Sequence, residues 1–72
     1  MTKLGQFLEK KSIKKADVSR KTGISQSRLS VLSSSSKTKL TADELYLIAL
    51  AIDVSPCDIL NEICKNLKLK NN

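Results

Sequence analysis

Apolar residues recur along this chain at three- and four-residue spacings and nowhere alternate over the length of a strand, so the pattern predicts helices throughout. Leu4, Phe7 and Leu8 predict a first helix from about Thr2 to Lys11, with Thr2 as its cap. Ser12 breaks the pattern, and Ile13 packs beneath the turn that follows. A second helix is expected over Lys15 to Thr22 and a third from Ser25 or Gln26 to about Ser33, with Ser25 as N-cap. Thr41 with Glu44 three residues later reads as a capping box, and Asp43 adds negative charge to the same first turn. The fourth helix then runs to about Ile52, turning Leu45, Ile48, Ala49 and Ile52 inward. Ser55 and Pro56 repeat a start signal, cap followed by proline at the first helical position. The fifth helix is expected to carry Ile59, Leu60, Ile63, Cys64 and Leu67 inward. The fold class is therefore all-α, five helices around one core, with residues 1–67 forming one domain and 68–72 a flexible tail.

The segment Lys15–Ser34, KADVSRKTGISQSRLSVLSS, is the most informative part of the chain. Gly23 supplies the positive φ that a tight turn between two helices requires. Val18 sits on the first of these helices, Ile24 enters the second, and Leu29 and Leu32 line its inner face. Ser19, small and four residues before the glycine, suits a close approach of two steeply crossed helices. Between the buried positions stand Gln26, Ser27, Arg28 and Ser30, all hydrogen-bond donors. This is the arrangement of a helix-turn-helix, helices two and three, whose second helix enters the DNA major groove.

Charge strengthens that reading. The net charge is +6, but residues 1–39 hold ten basic side chains against Glu9 and Asp17, or +8. Residues 40–72 hold three lysines against five carboxylates, or −2. Positive charge segregated around the helix-turn-helix is the footprint of phosphate binding, whereas a surface serving solubility alone mixes the signs. Serines 33–36 with Lys37, Thr38 and Lys39 form a polar loop.

Other chemistries find little support. There is no His, so neither a His-containing zinc site nor a His-based nucleophile pair can be built, and no Gly-rich phosphate loop is present. No cofactor, metal or small-molecule ligand is suggested, and the chain is not expected to be an enzyme. Cys57 and Cys64 are seven apart on one helix, which places their Cα atoms roughly 10 Å apart, too far for a disulfide between them. They are expected to fill the core as small hydrophobes. The absence of a bilayer-length apolar run and of a signal-peptide pattern gives the expectation of a cytoplasmic protein without a membrane partner.

The order of helices, the turn at Gly23, Ile24-Ser25 followed by Leu29 and Leu32, and the pattern Ile48-Ala49-x-Ala51-Ile52-x-Val54-Ser55 together resemble the Cro/C1-type helix-turn-helix family over about residues 3–63. Lambdoid phage repressors and Cro proteins belong to that family, and the resemblance implies a lambda-repressor-like DNA-binding domain. It implies base reading by Gln26, Ser27, Arg28, Ser30 and Val31, with Gln26 suited to adenine, Arg28 to guanine or a phosphate, and Val31 to a thymine methyl. It implies backbone contacts from Lys14, Lys15, Ser25, Lys37 and Lys39. Arg28 has a second outlet, folding back onto Asp17 or another carboxylate, and Val31 is equally compatible with half-buried core. The chain also departs from the family pattern: serines replace the glycine that usually follows the recognition helix, Lys14 occupies the capping position of helix two, and Thr22 replaces an apolar residue.

Tyr46, Leu47 and Leu50 add apolar surface to helix four beside its inward stripe. One reading makes them the surface of a two-fold homodimer that places two recognition helices about 34 Å apart; the other buries them in a central helix. The function expected is a sequence-specific, repressor-like regulator of a bacterium, phage or mobile element, with double-stranded DNA as partner. The alternative from another class is a protein-interaction module, an antitoxin, anti-repressor or adaptor, docking through the same three residues.

Overall fold

The computed structural model describes residues 1–70 and contains five helices: α1 (Lys3–Lys10), α2 (Lys15–Thr22), α3 (Gln26–Ser34), α4 (Ala42–Ala51) and α5 (Pro56–Cys64). There is no strand among the described residues. α1 packs on α3 and α5, α2 on α3 and α4, and α4 on α5. Val18, Leu29, Ile48 and Ile59, one from each of α2 to α5, are fully buried at the centre, and Leu4 and Leu8 close the core from α1. None of these helices exceeds ten residues, so none is stable alone and each depends on the shared core.

The ends of the helices follow from local chemistry. Thr2 Oγ1 accepts the N–H of Gly5 at 3.0 Å to start α1. Ser25 Oγ accepts the N–H of Arg28 at 3.0 Å to start α3. The capping box of α4 is complete: Thr41 Oγ1 accepts the Glu44 N–H and the Glu44 carboxylate accepts the Thr41 N–H. Lys14 starts α2 without any side-chain cap. Ser55 does not cap α5 through its hydroxyl, contrary to expectation; Pro56 at the first turn has no N–H to satisfy and already sets the helical φ.

Gly23 ends α2 with φ of 81°, donating its N–H to the Ser19 carbonyl. The Thr22 hydroxyl donates to the Val18 carbonyl at 2.7 Å and accepts the Ile24 N–H at 3.1 Å, so it links the helix end to the turn. α1 and α4 end in Schellman turns without glycine: Ser12 and Asp53 adopt φ of 57° and 58°. In each, the two following N–H groups return to carbonyls of the last turn, Ser12 to Glu9 and Ile13 to Leu8, Asp53 to Leu50 and Val54 to Ala49.

The serines at the end of α3 stop that helix without a glycine. Ser33 and Ser34 hydroxyls bond back to the Leu29 and Ser30 carbonyls, each at 2.8 Å. The last carbonyls are then taken by the start of α1: the Thr2 hydroxyl donates to Leu32 at 2.7 Å and the Thr2 N–H to Ser33 at 2.9 Å. This junction is tight enough to require Gly5, where an added Cβ would overlap the Ser33 carbonyl oxygen.

α5 corrects three expectations. Ile59 is buried and Ile63 and Cys64 are half-buried, but Leu60 and Cys57 are exposed and Leu67 is 76% exposed. The physical reason is that α5 is an outer helix covered only by α1 and α4, so one of its two apolar rows stays outside. Leu67 follows the helix end at Cys64 and therefore leaves that periodicity altogether. Of the expected tail, Lys68 to Lys70 are non-helical and exposed, whereas Asn71 and Asn72 lie outside the described residues. No described helix is long and apolar enough to cross a membrane.

Replacing Gly5 with Ala is expected to destabilise the domain by about 2 kcal/mol through overpacking against the α3 terminus. Asp53→Gly is expected to stabilise it by about 0.5–1 kcal/mol by removing the cost of a side chain at positive φ. Urea unfolding followed by circular dichroism checks both.

Candidate nucleic-acid interface

α3 carries a buried and an uncovered side. Leu29, Leu32 and Ser33 face the core, while Gln26, Ser27, Ser30 and Val31 are exposed. The exposed four are related by three- and four-residue steps, so they form one continuous outer strip. Val31 is 42% exposed and belongs to that strip rather than to the core. Ile24 packs against the core, Ser19 is half-buried, and Val18 is fully buried, which holds α3 across α2 in the arrangement expected of a helix-turn-helix.

Arg28 stands apart. At about 100° per residue it points roughly 130° away from the middle of the outer strip. Its guanidinium turns toward α4 and grips Glu44 bidentately, Nε to Oε2 at 2.7 Å and Nη2 to Oε1 at 3.0 Å. Nη2 also donates to the Lys39 carbonyl at 3.1 Å. Of its two expected outlets, the structure therefore shows the carboxylate, and the partner is Glu44 rather than Asp17, which pairs with Arg20.

Glu44 thus serves two masters: it closes the α4 capping box and anchors Arg28. Hydrogen bonds from Arg28, then those from the Thr41 N–H and hydroxyl, with the guanidinium charge behind them, outweigh desolvation and hold its carboxyl down to about 2. The same bonds to Glu44 raise Arg28 above its ordinary value.

The remaining cations divide by engagement. Lys11 stacks over the Phe7 ring at 5.3 Å, and Lys21 Nζ donates to the Ala51 carbonyl at 3.5 Å, at the negative end of α4. Lys14, Lys15, Lys37 and Lys39 are exposed, and among the described residues their ammonium groups make no ion pair or hydrogen bond. Lys14 and Lys15 share a cleft of about 460 Å³ with Gln26, which places the start of α2 beside the start of α3. Lys39 is held next to α3 by Arg28. Ser25 flanks this surface, but its hydroxyl is already engaged as the α3 cap. No group of three or more His, Cys, Asp or Glu side chains among the described residues is arranged to hold a metal ion.

On α4, Leu45, Ile48 and Ala49 are buried, whereas Tyr46 is 54% and Leu50 is 53% exposed, with Leu47 close behind. Of the two readings of this face, the structure does not show burial in a central helix: one flank of α4 is open. It continues into an apolar groove of about 440 Å³ between α4 and α5, lined by Leu40, Leu45, Tyr46, Cys57 and Leu60 among others.

Five short helices with an outward-facing α3, cations beside its first turn and a glycine turn before it define a helix-turn-helix DNA-binding domain. Residues 3–65 match the Cro/C1-type HTH DNA-binding domain, and the chain belongs to that family. No individual curated protein and no solved structure matches the chain. Membership, with the all-helical architecture, makes this a lambda-repressor-like fold and a DNA-binding regulator.

The depressed Glu44 carboxyl fixes the sign of one pH effect. Its native pKa lies below its unfolded value, so its contribution is present above about pH 4.5 and is lost as pH falls toward 2. The wild type should lose on the order of 2 kcal/mol across that window from this group. Glu44→Gln, which keeps the capping box, should show a correspondingly flatter profile in denaturant titrations at a series of pH values.

Proposed function

We propose that this protein is a sequence-specific, repressor-like regulator that acts by occupying double-stranded DNA. The observation that carries the reading is the outer strip of α3, Gln26, Ser27, Ser30 and Val31, left uncovered with Lys14 and Lys15 beside Gln26 and with Lys37 and Lys39 exposed in the loop that follows. Gln26 suits bidentate pairing with adenine in the major groove, Val31 suits contact with a thymine methyl, and the two serines accept or donate to either strand's bases. Lys14, Lys15, Lys37 and Lys39 set register on the phosphates, and neutralising them releases counterions. Bound over a promoter, such a protein excludes polymerase. A bacterial, phage or mobile-element origin and action in the cytoplasm accord with this mode.

We further infer that the active species is a two-fold homodimer. Tyr46, Leu47 and Leu50, continuous with the α4–α5 groove, form an apolar surface that a 72-residue monomer has little reason to expose. The same surface supports the second reading, a docking module for another protein, in which DNA affinity is incidental.

Selection of bound sequences from a random duplex pool at near-physiological salt separates these readings. A palindrome with half-sites about one helical turn apart is expected; no enriched motif, with binding that vanishes as salt rises, would move the docking module to the front. On the selected duplex, Gln26→Ala should cost about 1–3 kcal/mol and relax discrimination at one position. Lys15→Ala should weaken binding to all sequences and reduce the salt slope by about 1. Leu50→Glu should leave the fold intact, because the site is exposed, and shift sedimentation equilibrium toward monomer.

A further inference from the structure

The 35–41 segment carries Lys37 and Lys39 and has little structure of its own. Between its ends the backbone makes one internal hydrogen bond, Thr38 N–H to Ser35 at a long 3.4 Å, and only Leu40 reaches the core. Its far end is held by the Thr41–Glu44 capping box. Across the gap stands Arg28, the one side chain of α3 that touches both Glu44 and this loop's main chain. The guanidinium therefore spans the N-terminus of α3, the N-terminus of α4 and the loop between them. Its planar fork makes this three-point contact possible, because Nε and Nη2 address the two carboxylate oxygens in parallel while Nη2 retains a second hydrogen for the carbonyl.

We propose that Arg28 is a positioning residue rather than a reader of bases. Through Glu44 and the Lys39 carbonyl it fixes the loop lysines at a set distance from Gln26, so that phosphate contacts and base contacts engage one duplex in register. The inference rests on α3 being the recognition helix. It assigns to Glu44, an acidic residue beside a DNA-binding surface, a positive role in binding despite its unfavourable charge.

That sign is what the experiment reads. The duplex selected for the wild type and an unrelated duplex of equal length are titrated with Arg28→Ala, Arg28→Lys, Glu44→Gln and the Arg28→Ala/Glu44→Gln pair. Glu44→Gln keeps an N3 side chain able to close the capping box, so the helix start survives. Each single variant should bind both duplexes roughly tenfold more weakly, about one lost hydrogen-bonded contact. The double variant should be no worse than either, and Arg28→Lys should not rescue. In the free Arg28→Ala protein, amide exchange at Thr38, whose N–H bonds to Ser35, should speed up while Leu29 and Ile48 stay protected.

Tighter binding by Glu44→Gln with a steeper salt dependence would overturn the proposal, because Arg28 would then be a DNA contact that Glu44 holds back. Wild-type affinity in Arg28→Lys would mean a point charge on a phosphate, and loss of discrimination at a single base pair in Arg28→Ala would mean base reading. Unchanged loop exchange would overturn it without reference to DNA. A wild type that prefers no duplex would instead remove the recognition reading beneath it.

Discussion

A nine-residue helix cannot hold itself together in water, and α3 must do so while leaving one whole side uncovered. Everything around it answers that constraint. Leu29, fully buried among Val18, Ile48 and Ile59, fixes the middle of the helix. At the C-terminal end, Thr2 takes the carbonyls of Leu32 and Ser33, and Gly5 lets α1 approach closely enough for this to happen. At the N-terminal end, Ser25 caps the first turn and Arg28 ties it to α4. α3 is thus held at both ends and along one side by groups that use none of its outer strip.

The same economy governs charge. Cations near the framework are absorbed by it: Arg20 by Asp17, Lys21 by the end of α4, Lys11 by Phe7, and Arg28 by Glu44. The exposed pairs contribute little stability, since screening by water and salt leaves such contacts worth a fraction of a kcal/mol. Their consequence is selective. The lysines left without internal partners near α3 are those at the start of α2 and in the loop after α3. Of the lysines in residues 1–39 with no ion pair, hydrogen bond or ring contact among the described residues, Lys14, Lys15, Lys37 and Lys39 flank α3 along the chain, and Lys3 and Lys10 lie on α1.

Helix number, order and starts were legible in the sequence because caps and periodicity are local. Thr41 with Glu44, Pro56 and Gly23 each declare a boundary within a few residues. The outer strip of α3 was legible for the same reason at Gln26, Ser27 and Ser30, but Arg28 was grouped with them, because its partner Glu44 lies sixteen residues on. What remained hidden depends on partners distant in the chain. Gly5 has its reason in Ser33, and the second bond of Thr2 in Leu32, contacts that no spacing rule connects. Helix five was read too deep because two apolar rows look alike in sequence whether or not a neighbour covers the second. Ser12 and Asp53 at positive φ carried no glycine signal, so two clean Schellman turns passed unmarked.

On the proposed function, the outer strip of α3 with its flanking lysines is the surface that meets DNA. The most direct measurement is an amide and side-chain NMR titration of the uniformly labelled protein with its selected duplex. The largest changes are expected on Gln26, Ser27, Ser30 and Val31, then on Lys14, Lys15, Lys37 and Lys39. Changes at Tyr46, Leu47 and Leu50 should follow protein concentration rather than DNA. A map centred on α4 and α5, with the strip of α3 unmoved at saturation, would contradict it.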